Sequence, residues 1–427
     1  MPLDRVSRAF HKLVADHYPI VAGRPAINKQ GQPVMYVNPS NLCRPDIGEM
    51  AVDEPAEAFF ETRPNEDTSK PDIRFFNMHK FHHRHGDTGD SALPKATYRR
   101  DNSSAIVRII RFKDNAYVGV YVSLSHGIFD GAGAVMFFNH WAEYARNMDN
   151  PDYELDTKPV NDRSVARKYF DKVETIDPPY MAHLREIPMD LPVSMPADIA
   201  PFLMATPDIP AFKELHLIHI SPKQLEQIRQ DVDKSQTTNL ALATLLIRCV
   251  TQANIKEFGS TPQMSYVMVP FDCRRRTEIP EEYTGNLSFS AIALLDPQQV
   301  VGGSYTDLAQ AVKEGCSMVS SGHAKSTVDA IEREIAVLYK AGVCMCNSEA
   351  TSYVGMTNLR YLPLFTLDFG DGGPDVVTCD YYIREGMARI YANKQDGGID
   401  VYMNYKDELF RHLKESSELL KYADIVF

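Results

Sequence analysis

The residues of this chain best suited to proton transfer lie in the segment Ser125-His126-Gly127-Ile128-Phe129-Asp130-Gly131. This segment follows an apolar run at 116–124 and opens a stretch rich in glycine and alanine. An imidazole released from a strand end into a glycine-flanked turn can act as a general base toward a hydroxyl or an amine in a cleft. The pattern therefore predicts His126 as a catalytic base.

The spacing His-x-x-x-Asp is weak on its own, because a chain with 13 histidines meets it by chance. His83 and Asp87 repeat the spacing, but no strand precedes them and no glycine directly follows Asp87. His79, His82, His83 and His85 form a cluster without a consistent ligand face or a partner carboxylate. We interpret this cluster as a solvated loop and not as a metal site. Context, and not spacing, favours His126.

Local patterns also predict the elements that deliver the histidine. Apolar, β-branched runs at 105–112 and 116–124 flank a polar turn and predict a hairpin whose second strand ends at His126. Residues 131–145 predict a helix packed through small side chains. Trp141, the only tryptophan, is expected to anchor the core from this helix.

The rest of the chain alternates between helical and strand patterns, which favours an α/β fold. The other predicted elements are a helix from Val6 to His17, a strand at 214–220, a helix beginning at Ser221, a helix at 239–258, strands at 264–270 and 287–295, helices at 305–320 and 327–339, and a hairpin that pairs 388–393 with 399–405. Prolines recur from 178 to 210 without periodicity, which indicates a crossover. A length of 427 residues exceeds the usual size of one core. We predict an N-terminal domain over 1–177, a proline-rich linker over 178–212 and a C-terminal domain over 213–427.

Composition limits the classes of partner. The chain is 44% hydrophobic and 24% charged with a net charge of -12, so it is typical of a globular protein and unsuited to general nucleic-acid binding. Seven cysteines in no framework spacing favour a reducing compartment, and Cys344-x-Cys346 lacks further metal ligands nearby. No apolar run is long enough for a membrane helix. We expect a cytoplasmic monomer without bound metal, nucleic acid or membrane.

Further sparse motifs accompany the histidine segment in a fixed order. They are Tyr18-Pro19-Ile20-Val21-Ala22-Gly23-Arg24, Pro159-Val160-Asn161-Asp162-Arg163-Ser164, Asp272-x-Arg274-x-Arg276, Gly285-Asn286 and Asp368-Phe369-Gly370-Asp371-Gly372. With His126-x-x-x-Asp130-Gly131 they resemble the motifs of the BAHD acyltransferases, plant and fungal enzymes that move acyl groups from coenzyme A thioesters to alcohols or amines. The resemblance, of fungal type, spans positions near 6 to 405.

Two departures from the family pattern stand out. Asp371 occupies the place of the tryptophan in the family's DFGWG motif, so the indole that shapes this loop is absent. Family members also carry a strand-bearing segment before the first helix, whereas that helix here begins almost at Met1. We expect either an N-terminal sheet without that edge strand or a start that is truncated.

The resemblance implies two chloramphenicol-acetyltransferase-like domains, each a mixed β-sheet flanked by helices, with the active site in a channel between them. Coenzyme A would enter from one face and the acceptor from the other, both reaching His126. Asp130 would point away from the substrate and pair with an arginine, because a buried carboxylate without a partner is costly. Arg274 and Arg276 are the candidates, and one of them is expected to serve Asp368 in the same way.

The other site residues have structural or electrostatic roles in this hypothesis. Gly131 and Gly370 shape the two motif loops, and the apolar run at 362–367 predicts a strand that ends in the tight turn of Asp368 and Gly370. Asn286 either donates to the oxyanion that develops on the thioester carbonyl or caps a turn.

The leading hypothesis is acyl transfer, with acetyl as the default group, from an acyl-CoA co-substrate to a hydroxyl of a small-molecule specialised metabolite; an amine acceptor stays open. A second hypothesis keeps the fold and takes the acyl group from a carrier protein, as in polyketide or peptide assembly. A third is an inactive relative that binds a ligand. No tightly bound cofactor is required in the leading hypothesis, since the thioester is already activated.

Overall fold

The computed structural model describes residues 3–27, 33–38, 45–85, 105–186, 214–317, 319–333, 349–379 and 385–427. The helices are α1 (Leu3–Asp16), α2 (Met78–His85), α3 (Gly131–Arg146), α4 (Ser164–Phe170), α5 (Pro179–Glu186), α6 (Pro222–Asp233), α7 (Thr238–Phe258), α8 (Pro297–Gly302), α9 (Tyr305–Ser317), α10 (Ser321–Arg333), α11 (Asp407–Lys414) and α12 (Ser417–Leu420). The strands are β1 (Arg24–Ile27), β2 (Pro33–Tyr36), β3 (Asp46–Val52), β4 (Phe60–Arg63), β5 (Ile73–Phe76), β6 (Ala105–Phe112), β7 (Val118–Leu124), β8 (His216–Ile220), β9 (Met264–Asp272), β10 (Ser288–Leu295), β11 (Thr351–Asn358), β12 (Met387–Ala392), β13 (Ile399–Asn404) and β14 (Asp424–Ile425).

The C-terminal half is built on a mixed sheet with the strand order β10-β9-β11-β12-β13-β8-β14. The inner strand β11 runs parallel to both of its neighbours, and the other pairs are antiparallel. Helix α7 is capped by Thr237, ends at Gly259 with φ +66°, and buries most of its length against this sheet. The α/β class and the predicted 239–258 helix are confirmed.

The N-terminal half contains a smaller mixed sheet in which β6 lies between the parallel β3 and the antiparallel β7. Helices α1 and α3 pack together beside it, around the fully buried Trp141. The indole donates a hydrogen bond to the carbonyl oxygen of Val6 at 2.9 Å, and its ring lies 5.0 Å from that of Phe10. The predicted hairpin and the anchoring role of Trp141 are confirmed.

The chain crosses between the halves earlier than the predicted boundary at residue 177. Phe170 at the end of α4 is buried among residues of the C-terminal half, including Tyr283 and Phe289. Tyr180 of α5 donates a hydrogen bond to the carbonyl oxygen of Ser290 at 2.8 Å. The first part of the predicted linker 178–212 is therefore helix α5 on the C-terminal sheet, and the remainder from 187 lies outside the described residues.

A later segment, residues 359–379, packs back onto the N-terminal half. The ring of Phe369 lies 4.7 Å from that of Trp141, edge to face. Leu359 and Leu364 pack against a cluster that includes Phe59 and Phe112. Each half thus contributes a segment that packs on the other half: α4 and α5 lie on the C-terminal half, and residues 359–379 lie on the N-terminal half. A single linker therefore does not separate the halves.

Three local predictions are wrong. The histidine cluster at 79–85 lies in helix α2 and not in a loop, and α2 follows a turn in which the side chain of Asn77 accepts from the backbone N–H of Lys80. The run 362–367 forms a 3-10 turn at Leu364–Thr366 and not a strand. Helix α10 begins at Ser321, six residues before the predicted start, and its predicted end lies outside the described residues.

One histidine and two carboxylates form a charged cluster that is buried in the C-terminal sheet. His219 on β8 is 3% exposed; its Nδ1 lies 2.8 Å from Asp400 and its Nε2 lies 3.0 Å from Asp396. Asn393 donates to both oxygens of Asp400, and the ring of Phe75 from the N-terminal half lies 5.2 Å from the imidazole. Burial opposes the charged ring, but the hydrogen bonds to the two carboxylates raise the pKa of His219 to about 9.

Candidate active site

The candidate base His126 stands at the corner of a turn that directly follows β7. The carbonyl oxygen of Ser125 accepts from the N–H groups of Ile128 at 3.0 Å and Phe129 at 3.4 Å, which closes the turn. Ile128 and Phe129 are buried in the N-terminal core, whereas His126 is exposed. The two apolar side chains therefore anchor the turn while the imidazole stays accessible.

Asp130, at the other end of the turn, is 2% exposed and caps helix α3. Its Oδ1 accepts from Gly133 N at 2.9 Å and from Arg274 Nη2 at 3.0 Å. Its Oδ2 accepts from Leu287 N and Arg274 Nη1, both at 2.8 Å. Four hydrogen bonds and an opposite charge compensate the burial of the carboxylate, so Asp130 is oriented toward the C-terminal half.

Arg274 uses all five of its N–H groups. Besides the two bonds to Asp130, Nε donates to Tyr283 O at 2.9 Å, Nη1 to Asp272 Oδ1 at 2.9 Å and Nη2 to Gly285 O at 2.7 Å. Burial disfavours the guanidinium, but the hydrogen bond and charge of Asp130, with the charge of Asp272, raise its pKa above the usual value. This buried ion pair joins the His126 turn to the residues that lead into β10.

The structure does not bring the second candidate arginine to Asp368. Arg276 is exposed; its Nη1 donates to Asp272 O at 3.3 Å and its guanidinium lies over the ring of Phe271. The expectation that one of the two arginines serves Asp368 is therefore wrong. The cation at Asp368 is Arg146 of α3, which donates to the main-chain carbonyl oxygen.

The carboxylate of Asp368 instead organises its own loop. Its Oδ1 accepts from Gly370 N at 2.7 Å and Gly372 N at 2.8 Å, and these two bonds lower the pKa of the carboxyl group. Gly370 and Gly372 have φ of +113° and +91°, in the left-handed region that favours glycine. The tight turn predicted here is present, and Phe369 inside it reaches the N-terminal core.

Gly131 and Gly133 differ in how closely the opposite half approaches them. A Cβ on Gly131 would lie 3.4 Å from Leu359 and Leu362, an ordinary contact. A Cβ on Gly133 would overlap the backbone carbonyl oxygen of Thr284. The steric demand therefore falls on Gly133, which the sequence analysis did not single out although the Gly-Ala-Gly spacing of α3 was visible.

Asn286 faces His126 from across the junction of the two halves. Its Nδ2 donates to His126 O at 2.8 Å and lies 3.2 Å from His126 Nδ1. The backbone is fixed on both sides, since Gly285 O accepts from Arg274 and Leu287 N donates to Asp130. The buried pair thus sets the position of the exposed amide next to the exposed imidazole.

Among the described residues, no group of three or more His, Cys, Asp or Glu side chains is arranged to hold a metal ion. Within the same ranges, no helix has both the length and the apolar character that crossing a membrane requires.

Comparisons with known proteins agree with this architecture. The Transferase family matches residues 92–420. Hydroxycinnamoyltransferase 2 from Oryza sativa subsp. japonica is 24% identical over 328 residues, which cover 74% of this chain and 70% of that protein. Hydroxycinnamoyl-CoA:5-hydroxyanthranilate N-hydroxycinnamoyltransferase HHT4 from Avena sativa is 23% identical over 346 residues, 78% of this chain and 72% of that protein.

Among solved structures, F. graminearum TRI101 complexed with coenzyme A and deoxynivalenol superposes with a TM-score of 0.68 at 15% identity, covering 100% of this chain and 91% of that one. This likeness establishes the two-domain fold. Because the family match extends over most of the chain, from before the His126 turn to helix α12, the protein belongs to the Transferase family of BAHD acyltransferases.

Proposed function

We propose that this protein transfers an acyl group, with acetyl as the first candidate, from an acyl-CoA to a hydroxyl group of a small-molecule specialised metabolite. The observation that carries the proposal is the exposed His126 on a turn whose backbone is fixed by the buried Asp130–Arg274 pair. A base fixed in this way is oriented before the substrates arrive, which is what efficient proton transfer requires.

In the proposed reaction, His126 takes the proton of the acceptor hydroxyl as its oxygen attacks the thioester carbonyl carbon. The tetrahedral oxyanion then collapses, the carbon–sulfur bond breaks, and the thiolate of coenzyme A takes the proton from the imidazolium. The ester and free coenzyme A are the products, and the histidine returns to its neutral form. A base of this kind contributes about 10²- to 10⁴-fold in rate.

The two ring nitrogens have different tasks in this scheme. For Nε2 to accept a proton, Nδ1 must carry one. Asn286 has two amide hydrogens, and one is held by the His126 carbonyl oxygen. In the tautomer with Nδ1 protonated, the second amide hydrogen has no acceptor on the ring and is available to the oxyanion.

No covalent acyl-enzyme is needed, because the thioester is already reactive. Two of the cysteines are also poor nucleophiles. Burial raises the pKa of Cys273 and of Cys316 to about 12, so both stay protonated at neutral pH. Direct attack by the acceptor is therefore favoured over a two-step route through these thiols.

The test is coenzyme A release from acetyl-CoA and from a hydroxycinnamoyl-CoA over a panel of alcohols and amines. His126→Ala is expected to lower turnover at least about 100-fold without changing the circular dichroism spectrum. His412→Ala is the matched control, since this histidine contacts Glu257 and lies outside the candidate site. Turnover that survives in the His126→Ala variant would exclude the mechanism.

The panel also separates the open alternatives. Amines belong in it because the Avena sativa relative is named as an N-hydroxycinnamoyltransferase. Transfer from an acylated carrier protein, with none from any free acyl-CoA, would replace the donor. Ligand binding without any transfer would support a non-catalytic relative.

A further inference from the structure

Arg163, in the motif Pro159–Ser164, contacts both halves of the molecule just behind the His126 turn. Its Nη2 donates to the carbonyl oxygen of Ile128 at 3.1 Å. Its Nη1 lies 3.4 Å from Thr284 Oγ1, and its guanidinium carbon lies 5.4 Å from the centre of the Tyr283 ring. In the described part of the chain these contacts include no carboxylate, so the arginine is not held as an ordinary ion pair.

The segment that carries Arg163 is itself attached to the C-terminal half. Val160 N donates to Glu282 O at 2.9 Å, and Thr284 N donates to Val160 O at 3.1 Å. Thr284 Oγ1 also donates to Asn161 Oδ1 at 2.5 Å. Residues 160–163 therefore have a fixed position relative to Thr284, and the Arg163 side chain connects this segment to the His126 turn.

The Ile128 carbonyl group, which accepts the hydrogen bond from Arg163, lies between His126 and Asp130 in the chain. Ile128 is two residues after His126 and two before Asp130, and its side chain is 2% exposed. The Asp130–Arg274 pair holds the far end of the turn. Besides Arg163, the near end is held by its own hydrogen bonds to Ser125, by the contact of Asn286 and by the buried side chains of Ile128 and Phe129.

We infer that Arg163 is a positioning residue, which fixes the His126 turn at its working distance from Asn286 through the Ile128 carbonyl. The inference rests on the proposed function of His126. A bidentate donor with a flat face suits the task, because it reaches a carbonyl, a hydroxyl and an aromatic ring at once. A lysine has a single nitrogen and cannot reproduce this geometry.

The kinetic test compares Arg163→Ala and Arg163→Lys with Arg167→Ala, an exposed arginine one turn further along α4. Arg163→Ala is expected to lower kcat by about 10- to 100-fold, because small displacements of a base are costly. KM for both substrates should change less than about twofold, and Arg163→Lys should recover little. Arg167→Ala should match the wild type.

Three outcomes would overturn the inference. They are a wild-type kcat in Arg163→Ala, a loss confined to KM, and a loss that disappears once activity is normalised to the folded fraction. The first removes any positioning role, the second indicates contact with substrate, and the third indicates stability alone.

A measurement independent of turnover separates failure of this inference from failure of the proposed function. With ¹⁵N-labelled histidine, the signal missing in His126→Ala identifies the ring of His126. That signal is expected to shift or broaden in Arg163→Ala and to stay unchanged in Arg167→Ala. An unchanged signal in Arg163→Ala would refute the inference even if no substrate is ever found.

Discussion

Among the described residues, the Asp130–Arg274 pair and the His219 cluster are both buried, and they differ in the type of cation. The Asp130–Arg274 pair joins the N-terminal and C-terminal halves and is called the joint below. Its guanidinium donates five hydrogen bonds. The His219 cluster lies within the C-terminal sheet, and its imidazole contacts Asp396 and Asp400. Arginine keeps its charge at every accessible pH, whereas histidine can lose it.

The type of cation determines whether each cluster can lose its positive charge. A charge at the joint beside the candidate base cannot be lost without leaving Asp130 buried and unpaired. The His219 cluster has two carboxylates for one cation; burial raises the pKa of Asp400, and hydrogen bonds from His219 and Gly398 outweigh burial and lower that of Asp396. Arg274 therefore keeps its charge over the pH range in which His219 can lose its proton.

The largest expected effect is the loss of the arginine at the joint. Arg274→Leu leaves the Asp130 carboxylate without its cation and should cost about 3 to 5 kcal/mol of stability. Urea unfolding followed by the fluorescence of the buried Trp141 measures this directly. Arg276→Leu, an exposed neighbour, is the control and should change stability by less than about 0.5 kcal/mol. Equal losses in the two variants would remove the distinction between these arginines.

A smaller effect is expected from pH on the second cluster. The pKa of His219 rises from 6.5 to about 9 on folding, so its stabilisation is complete below pH 6.5. Between pH 6.5 and 9 the unfolded chain has lost the proton that the folded protein retains, and stability falls by about 3 kcal/mol. Urea midpoints over this range should fall in the wild type and less in His219→Gln.

His412→Gln is the matched control for this pH series, because His412 is a partly exposed histidine with a single carboxylate partner, Glu257. It should change the slope less than His219→Gln does, because a partly exposed pair with one carboxylate contributes little to stability. A wild-type slope in His219→Gln would show that His219 does not carry the pH dependence.

The smallest expected effect concerns how closely helix α3 packs against the C-terminal half. Gly133→Ala places a methyl group against the Thr284 carbonyl and should cost about 1 to 3 kcal/mol, with a lower kcat, because the backbone on both sides must move. Gly131→Ala, two residues earlier, meets only ordinary contacts at 3.4 Å. Thermal unfolding and coenzyme A release measure both variants. Similar behaviour of the two would mean that the joint is loosely packed.

The sequence predicted what local patterns can encode. The hairpin at 105–124, helix α3 and the buried Trp141 follow from periodicity and residue type. The arginine beside Asp130 was implied by the family resemblance, and the cost of burying an unpaired carboxylate supported it. Which arginine would pair could not be predicted, because Arg274 and Arg276 differ only in how the 3-10 turn orients them. The exchange of residues 160–186 and 359–379 between halves depends on long-range packing, which no local period reports.

The separation of the joint along the chain has a consequence for synthesis. Asp130 receives its bonds from Arg274 and Leu287, which are 144 and 157 residues further on. Translation at about 5 to 20 residues per second leaves an interval of roughly 8 to 30 seconds in which Asp130 has been made and these two partners have not. Any chain that ends before residue 274 therefore lacks the cation that compensates the buried carboxylate.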